Sequence, residues 1–135
     1  MRRDLTQYGV EETRTPEAVD AALAPGSGSV LMVVNSVCGC AAGSARPAVG
    51  LALAHPVRPD KAVTVFAGGD VEAVNRVRSH HLAAFDPSSP SIALFQDGKP
   101  VFYLHRTEIE RRMPEQIAAA LISAFEQHCP QKTNR

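Results

Sequence analysis

The sequence predicts an α/β fold: a mixed central sheet with an antiparallel hairpin and with helices on both faces. Three observations carry this. Residues 30–34 (VLMVV) form an apolar, β-branched run of strand length, suited to a strand buried on both faces. Segments of helical period, bounded by proline and glycine, alternate with such runs through the first two thirds of the chain, as parallel crossover units require. Further on, two short apolar runs flank Asp97 and Gly98, a pair suited to a hairpin turn.

Taken in order, Thr15, Pro16 and Glu17 read as an N-cap, a first-turn proline and a first-turn acid. They open a helix through Val19, Ala22 and Leu23 that Pro25 and Gly26 stop. A turn over residues 26–29 leads into the strand at 30–34, a candidate central parallel strand. After Asn35, Ser36 and Val37 come Cys38, Gly39 and Cys40, then an Ala- and Leu-rich stretch over residues 41–54 with helical spacing. The two cysteines therefore stand at a strand-to-helix turn. Pro47 falls inside that helix and predicts a kink, at a cost of about 3 kcal/mol that packing must offset. Pro56 and Pro59 end it. Residues 62–66 make a second strand, closed by Gly68 and Gly69, and Asp70 caps a helix with Val71, Val74, Val77 and Leu82 on its apolar side. A loop over residues 86–91 holds Pro87 and Pro90 and leads to the hairpin, residues 92–95 and 101–104. The last helix starts near Pro114 and Glu115, places Ile117, Leu121, Ala124 and Phe125 on one face, and runs to His128 or Cys129. Residues 130–135 read as a frayed polar tail. This order, read as one domain over residues 1–135, is the thioredoxin-like layout.

Composition narrows the function. A chain of 135 residues, 44% hydrophobic and 21% charged, has the size and make-up of one globular domain and not of a disordered or fibrous chain. Fourteen Lys plus Arg balance fourteen Asp plus Glu, so no global field gathers phosphate backbones or anionic lipid. With 5% aromatics and no Trp there is no evident stacking platform for bases. The longest aliphatic run is far short of the roughly 20 residues of a membrane span, and residues 1–10 lack the apolar stretch of a secretory signal. The expectation is a soluble cytoplasmic protein without nucleic-acid or membrane partners and without a bound cofactor.

The chemistry lies in the cysteines, which number three, an odd count far below that of a secreted disulfide scaffold. The first turn of a helix favours a thiolate through its unpaired N–H groups and its dipole, and Cys38 is placed for this. Gly39 lets the backbone turn and leaves the first sulfur open to an incoming disulfide. A Cys38–Cys40 bond would close a ring one residue smaller than in a C-x-x-C motif; the strain eases reduction, which suits an exchange catalyst. Ser89 and Pro90 add a substrate-binding element. In this layout a proline just before the hairpin strand is cis, lies beside the reactive pair, and exposes the preceding residue's backbone to an extended substrate. Simple loop stiffening by Pro87 and Pro90 is the alternative. Metal or iron–sulfur binding by Cys38 and Cys40, with Cys129 or His128 as a third ligand, ranks behind exchange because a zinc site usually brings a second close pair. His55, His80 and His81 read as helix-end caps. Arg46 either holds an anionic substrate or supports a thiolate, or is solvated. Arg106, Glu108, Glu110, Arg111 and Arg112 read as a solvated face with local ion pairs.

The block VNSVCGCAAGSARPA at residues 34–48, with TVFAGGD at 64–70 and PSSPS at 87–91, resembles the bacilliredoxins. The likeness runs from RRDLT at residues 2–6 to His128 and Cys129. It implies a thioredoxin-like bacterial protein that removes bacillithiol from mixed disulfides on other proteins. On this chain it makes Cys38 the nucleophile and Cys40 the resolving thiol, with bacillithiol as thiol co-substrate and bacillithiolated or disulfide-bonded proteins as partners. A general disulfide isomerase or reductase activity fits the same relatives. One departure is local: relatives often read Arg-His-Glu-Ile-Glu-Gly where this chain has Arg106, Thr107, Glu108, Ile109, Glu110 and Arg111, so no role of that histidine carries over.

Overall fold

A computed structural model describes residues 3–35, 44–67, 69–88 and 90–129. Its elements are α1 (Arg3–Thr6), β1 (Glu11–Glu12), α2 (Pro16–Ala22), β2 (Ser29–Asn35), α3 (Arg46–Leu53), β3 (Lys61–Phe66), α4 (Val71–Arg76), β4 (Ser91–Gln96), β5 (Lys99–Leu104), α5 (Arg106–Glu110) and α6 (Pro114–His128). The strands form one sheet in the order β1-β3-β2-β4-β5. β3 runs parallel to β1 and β2, whereas β4 runs antiparallel to both β2 and β5.

β2 is the central strand that its sequence predicts. All seven of its residues are buried, because both faces of the sheet are covered. Leu31 and Val33 point with Ile92 and Leu94 into a layer closed by Val49 and Ala52 of α3 and by Ile117, Leu121 and Phe125 of α6. Val30, Met32 and Val34 point the other way, with Val63, Val65 and Phe95, against Val19 of α2, Leu23, and Val74 and Val77. The period-2 alternation of a strand thus feeds two cores at once.

The registers place the site. Asn35 pairs with Phe66 at the C-terminal ends of β2 and β3, and Val34 pairs with Ser91 at the start of β4. The exit of β2 and the start of β4 therefore share one end of the sheet, and the β4–β5 turn lies at the other.

Several local readings hold. Thr15 caps α2, its Oγ1 accepting from Ala18 N at 3.1 Å, and α6 buries Ile117, Leu121, Ala124 and Phe125 as its spacing predicts. Others need correction. Pro47 stands in the first turn of α3, and the two residues ahead of α3, Ser44 and Ala45, are wound as π-helix. Asp70 precedes α4 without a side-chain cap; its Oδ2 instead accepts from Phe66 N at 3.0 Å, closing the turn after β3. Val71 is 58% exposed and not on the apolar face. Beyond Arg76 the helix continues as a π-turn over Val77–His81, with Leu82 N donating to Val77 O at 2.7 Å.

Candidate active site

Of the residues singled out by sequence, Cys38, Gly39, Cys40 and Ser89 lie outside the described residues; Pro90 lies within them. What the structure describes is the frame around the cysteine segment. Asn35, 2% exposed, is the last residue of β2. Its carbonyl accepts from Ala67 N at 2.9 Å, which ties the exit of β2 to the exit of β3. The description resumes at Ser44, whose Oγ donates to Arg112 O at 3.4 Å, just ahead of α6. Arg46 then opens α3, and its Nη1 donates to Asn35 Oδ1 at 3.1 Å. One side-chain hydrogen bond therefore joins the residue before segment 36–43 to the helix after it. Arg46 is only 5% exposed, which removes the solvated reading left open by sequence. Burying a guanidinium costs several kcal/mol unless its charge and donors are met.

Pro90 is buried and immediately precedes Ser91, the partner of Val34. It therefore stands on the strand next to β2, at the end where segment 36–43 begins. The loop leading to it is held from three sides. Arg78 Nη2 donates to Ser88 O at 3.2 Å, Arg106 N donates to Ser88 Oγ at 3.0 Å, and Tyr103 OH donates to Asp86 O at 2.9 Å. The Tyr103 ring also stacks on Phe85, with centroids 4.8 Å apart. Sequence reasoning missed Asn35, Arg78, Ser88 and Tyr103. The one usable signal was a polar Asn ending an otherwise apolar strand, since the other contacts join residues far apart in the chain.

His55 and His81 meet carboxylates of other helices, whereas His105 caps α5. His81 Nε2 lies 2.8 Å from Asp20 Oδ1, which also accepts from Arg76 Nε at 2.8 Å. His80 packs edge-on against His81, and His55 Nε2 lies 3.1 Å from Glu126 Oε2. The charged cluster after the hairpin is the expected ion-paired surface, with Arg106 Nε 2.9 Å from Glu110 Oε2 within α5.

Cys129 is a thiol buried at the end of α6. α6 runs beside α3 in the same direction: Ser44 meets Arg112 at one end and His55 meets Glu126 at the other. Cys129 and His128 therefore stand at the opposite end of α3 from segment 36–43, which weighs against either as a third ligand with Cys38 and Cys40. Among the described residues, no three or more His, Cys, Asp or Glu side chains group to hold a metal ion, and no helix is long and apolar enough to cross a membrane.

A sheet of this order, with helices on both faces and a proline just ahead of β4, is the thioredoxin fold. A thioredoxin of Malassezia sympodialis matches with a TM-score of 0.59 at 15% identity, over 88% of this chain and 90% of its own. Oxidized thioredoxin O2 of Arabidopsis thaliana matches with a TM-score of 0.56 at 16% identity, over 92% and 97%. The family model for disulphide isomerase matches residues 1–129. A bacilliredoxin of Salinibacter ruber is 53% identical over 131 residues, 96% of this chain and 76% of its own length. One from Koribacter versatilis is 47% identical over 129 residues, 96% of this chain and 88% of its own. The chain belongs to this disulphide isomerase family, whose relatives carry the name bacilliredoxin, and so to the thiol-disulfide oxidoreductases.

Proposed function

We propose that the protein removes bacillithiol from protein mixed disulfides in the cytoplasm, using Cys38 and Cys40. The observation that carries this reading is the convergence of the segment 36–43 boundary and Pro90 at one end of the sheet, in a chain about half identical to bacilliredoxins. The thiolate of Cys38 attacks the bacillithiol sulfur of the mixed disulfide. A Cys38–bacillithiol bond forms, the protein–bacillithiol bond breaks, and the client leaves as a thiolate that takes up a proton. Cys40, deprotonated, then attacks the Cys38 sulfur, expels bacillithiol as thiolate, and closes the Cys38–Cys40 disulfide. The client is reduced and the pair oxidised by the same two electrons, and an external thiol returns the pair to the dithiol. Alternatively a second bacillithiol attacks the Cys38 adduct and leaves as bacillithiol disulfide. Gly39 keeps the first sulfur approachable, while Ser89 and Pro90 offer backbone to an extended client segment.

The test incubates the reduced protein with a bacillithiolated protein and follows the adduct by mass spectrometry. The expected result is loss of the adduct, abolished in Cys38→Ser, with a bacillithiol adduct accumulating on Cys38 in Cys40→Ser. Stoichiometric zinc, or a cluster chromophore lost in both variants, overturns the reading. The family description favours a second reading, disulfide isomerisation: activity on a scrambled-disulfide protein, with none on the bacillithiolated one, would select it.

A further inference from the structure

We infer that the cavity at the end of the sheet that carries the β4–β5 turn, opposite the exit of β2, is a second ligand site and takes a free α-amino acid with an apolar side chain. The inference goes beyond the proposed thiol exchange and uses none of its residues. The cavity holds about 460 Å³, within the range of small-molecule sites. Three elements enclose it: the end of α2, the π-turn after α4 and the β4–β5 turn. Leu23, Ala24 and Pro25 give it an apolar wall, and Asp20, Arg76, Asp97 and Lys99 give it a polar one. Both His80 and His81, which also line it, come from the π-turn, a winding that recurs at functional sites.

Most of the polar wall is fixed before any ligand arrives. Asp20 Oδ1 meets Arg76 Nε and His81 Nε2, both at 2.8 Å, and the His81 side chain is only 8% exposed. Asp97 is clasped by Gly28: its N donates to Gly28 O at 2.8 Å, and its Oδ1 accepts from Gly28 N at 3.0 Å. Bonding capacity is left over on both sides of the charge balance. The Arg76 Nη atoms, the Lys99 ammonium and the second oxygen of each carboxylate have no partner among the described residues. Groups held in place in this way lose little freedom on binding. Charge then selects the ligand class. With the histidines neutral, two cations and two carboxylates cancel, so a simple anion meets its cations against facing carboxylates, and a simple cation the reverse. An α-amino acid carries both signs on one carbon. Its carboxylate suits Arg76 and Lys99, its ammonium suits the spare carboxylate oxygens, and its side chain suits the wall of Leu23, Ala24 and Pro25.

The test follows the Gly98 amide and the His80 and His81 ring signals by NMR while the whole protein is titrated with L-phenylalanine. Two analogues are run beside it: phenylpropionate, which lacks the ammonium, and phenethylamine, which lacks the carboxylate. The expected result is a saturable shift with L-phenylalanine at a Kd of about 1 mM or tighter, and binding of each analogue weaker by at least about tenfold. Lys99→Gln and Asp97→Asn should each weaken L-phenylalanine binding by a similar factor. Asparagine tolerates the positive φ of position 97 and keeps an acceptor for Gly28 N, so the turn is retained. Absence of a saturable shift in the wild type overturns the inference, as does an analogue that binds as tightly as L-phenylalanine. Full-strength binding in both variants overturns it as well. If a variant does not fold, the three ligands compared on the wild type decide. The readout involves no thiol, so a wild type inert toward bacillithiolated protein that still binds L-phenylalanine refutes the proposed exchange and sustains this site.

Discussion

Asp20 shows how one side chain ties two helices together on this protein. Hydrogen bonds from Arg76 and from His81 hold its carboxyl down from 3.8 to about 2. They link α2 to α4 and its π-turn, beside the apolar cluster that Val19, Val74 and Val77 share. The folded pKa lies below the unfolded one, so this cluster adds stability above the unfolded value and loses it as pH falls through the folded value. The side chain is 43% exposed, so the contribution is modest. Asp20→Asn is therefore expected to lower the urea midpoint at neutral pH. Its difference from wild type should shrink as pH falls from 3.8 through about 2; a difference that stays constant over this range would contradict the assignment. None of this was legible in the sequence, where His81 reads as a helix cap. A cap is a local relation that spacing can reveal, but the Asp20–His81 contact spans 61 positions.

At the scale of elements, the hairpin and its turn were legible, though β5 begins two residues earlier than its apolar run, and α1, β1 and α5 were not. The hairpin turn has a chemical signature: Asp97 and Gly98 both adopt positive φ, 52° and 85°, the conformation that this residue pair accepts most readily. Tertiary packing adds a second demand, since a Cβ on Gly98 would lie 2.6 Å from the Leu23 carbonyl oxygen. Gly98→Ala is expected to cost more than about 1 kcal/mol, read as a lower urea midpoint with unchanged slope. The missed elements are short. β1 is two glutamates held as a strand by pairing with Val63 and Thr64. α5 is five residues started by a reciprocal cap between His105 and Glu108. Neither is long enough for a period to show. The π winding ahead of α3 was not legible either: composition marks a helical region, but the switch from π to α winding at Ala45 and Arg46 leaves no mark in hydrophobic spacing.

For the whole molecule, two apolar layers share one sheet, so they are expected to melt together. Phe125, fully buried in the α3–α6 layer, should cost about 3–5 kcal/mol on truncation to Ala. That is a large share of the roughly 5–15 kcal/mol that holds an ordinary domain folded. Damage to one layer should lower both, because β2 supplies alternate side chains to each. The two tyrosines provide the measurement: Tyr8 lies against Gly50 of α3, and Tyr103 packs on the opposite layer. In Phe125→Ala, the tyrosine fluorescence of Tyr8→Phe and Tyr103→Phe versions should give coincident urea midpoints; separated midpoints would show independent layers. By itself the sequence determined the alternation of strands and helices, the two-sided burial of β2, and the presence of a close thiol pair in the segment between β2 and α3. Hydrophobic period and turn chemistry are local properties, so they survive in one dimension. The tertiary structure alone decided that Arg46 and Asn35 are buried together, that Ser88 anchors the loop before Pro90, and that Cys129 stands at the far end of α3. Which polar groups leave water depends on what packs over them, and at this end of the sheet the covering residues come from distant parts of the chain.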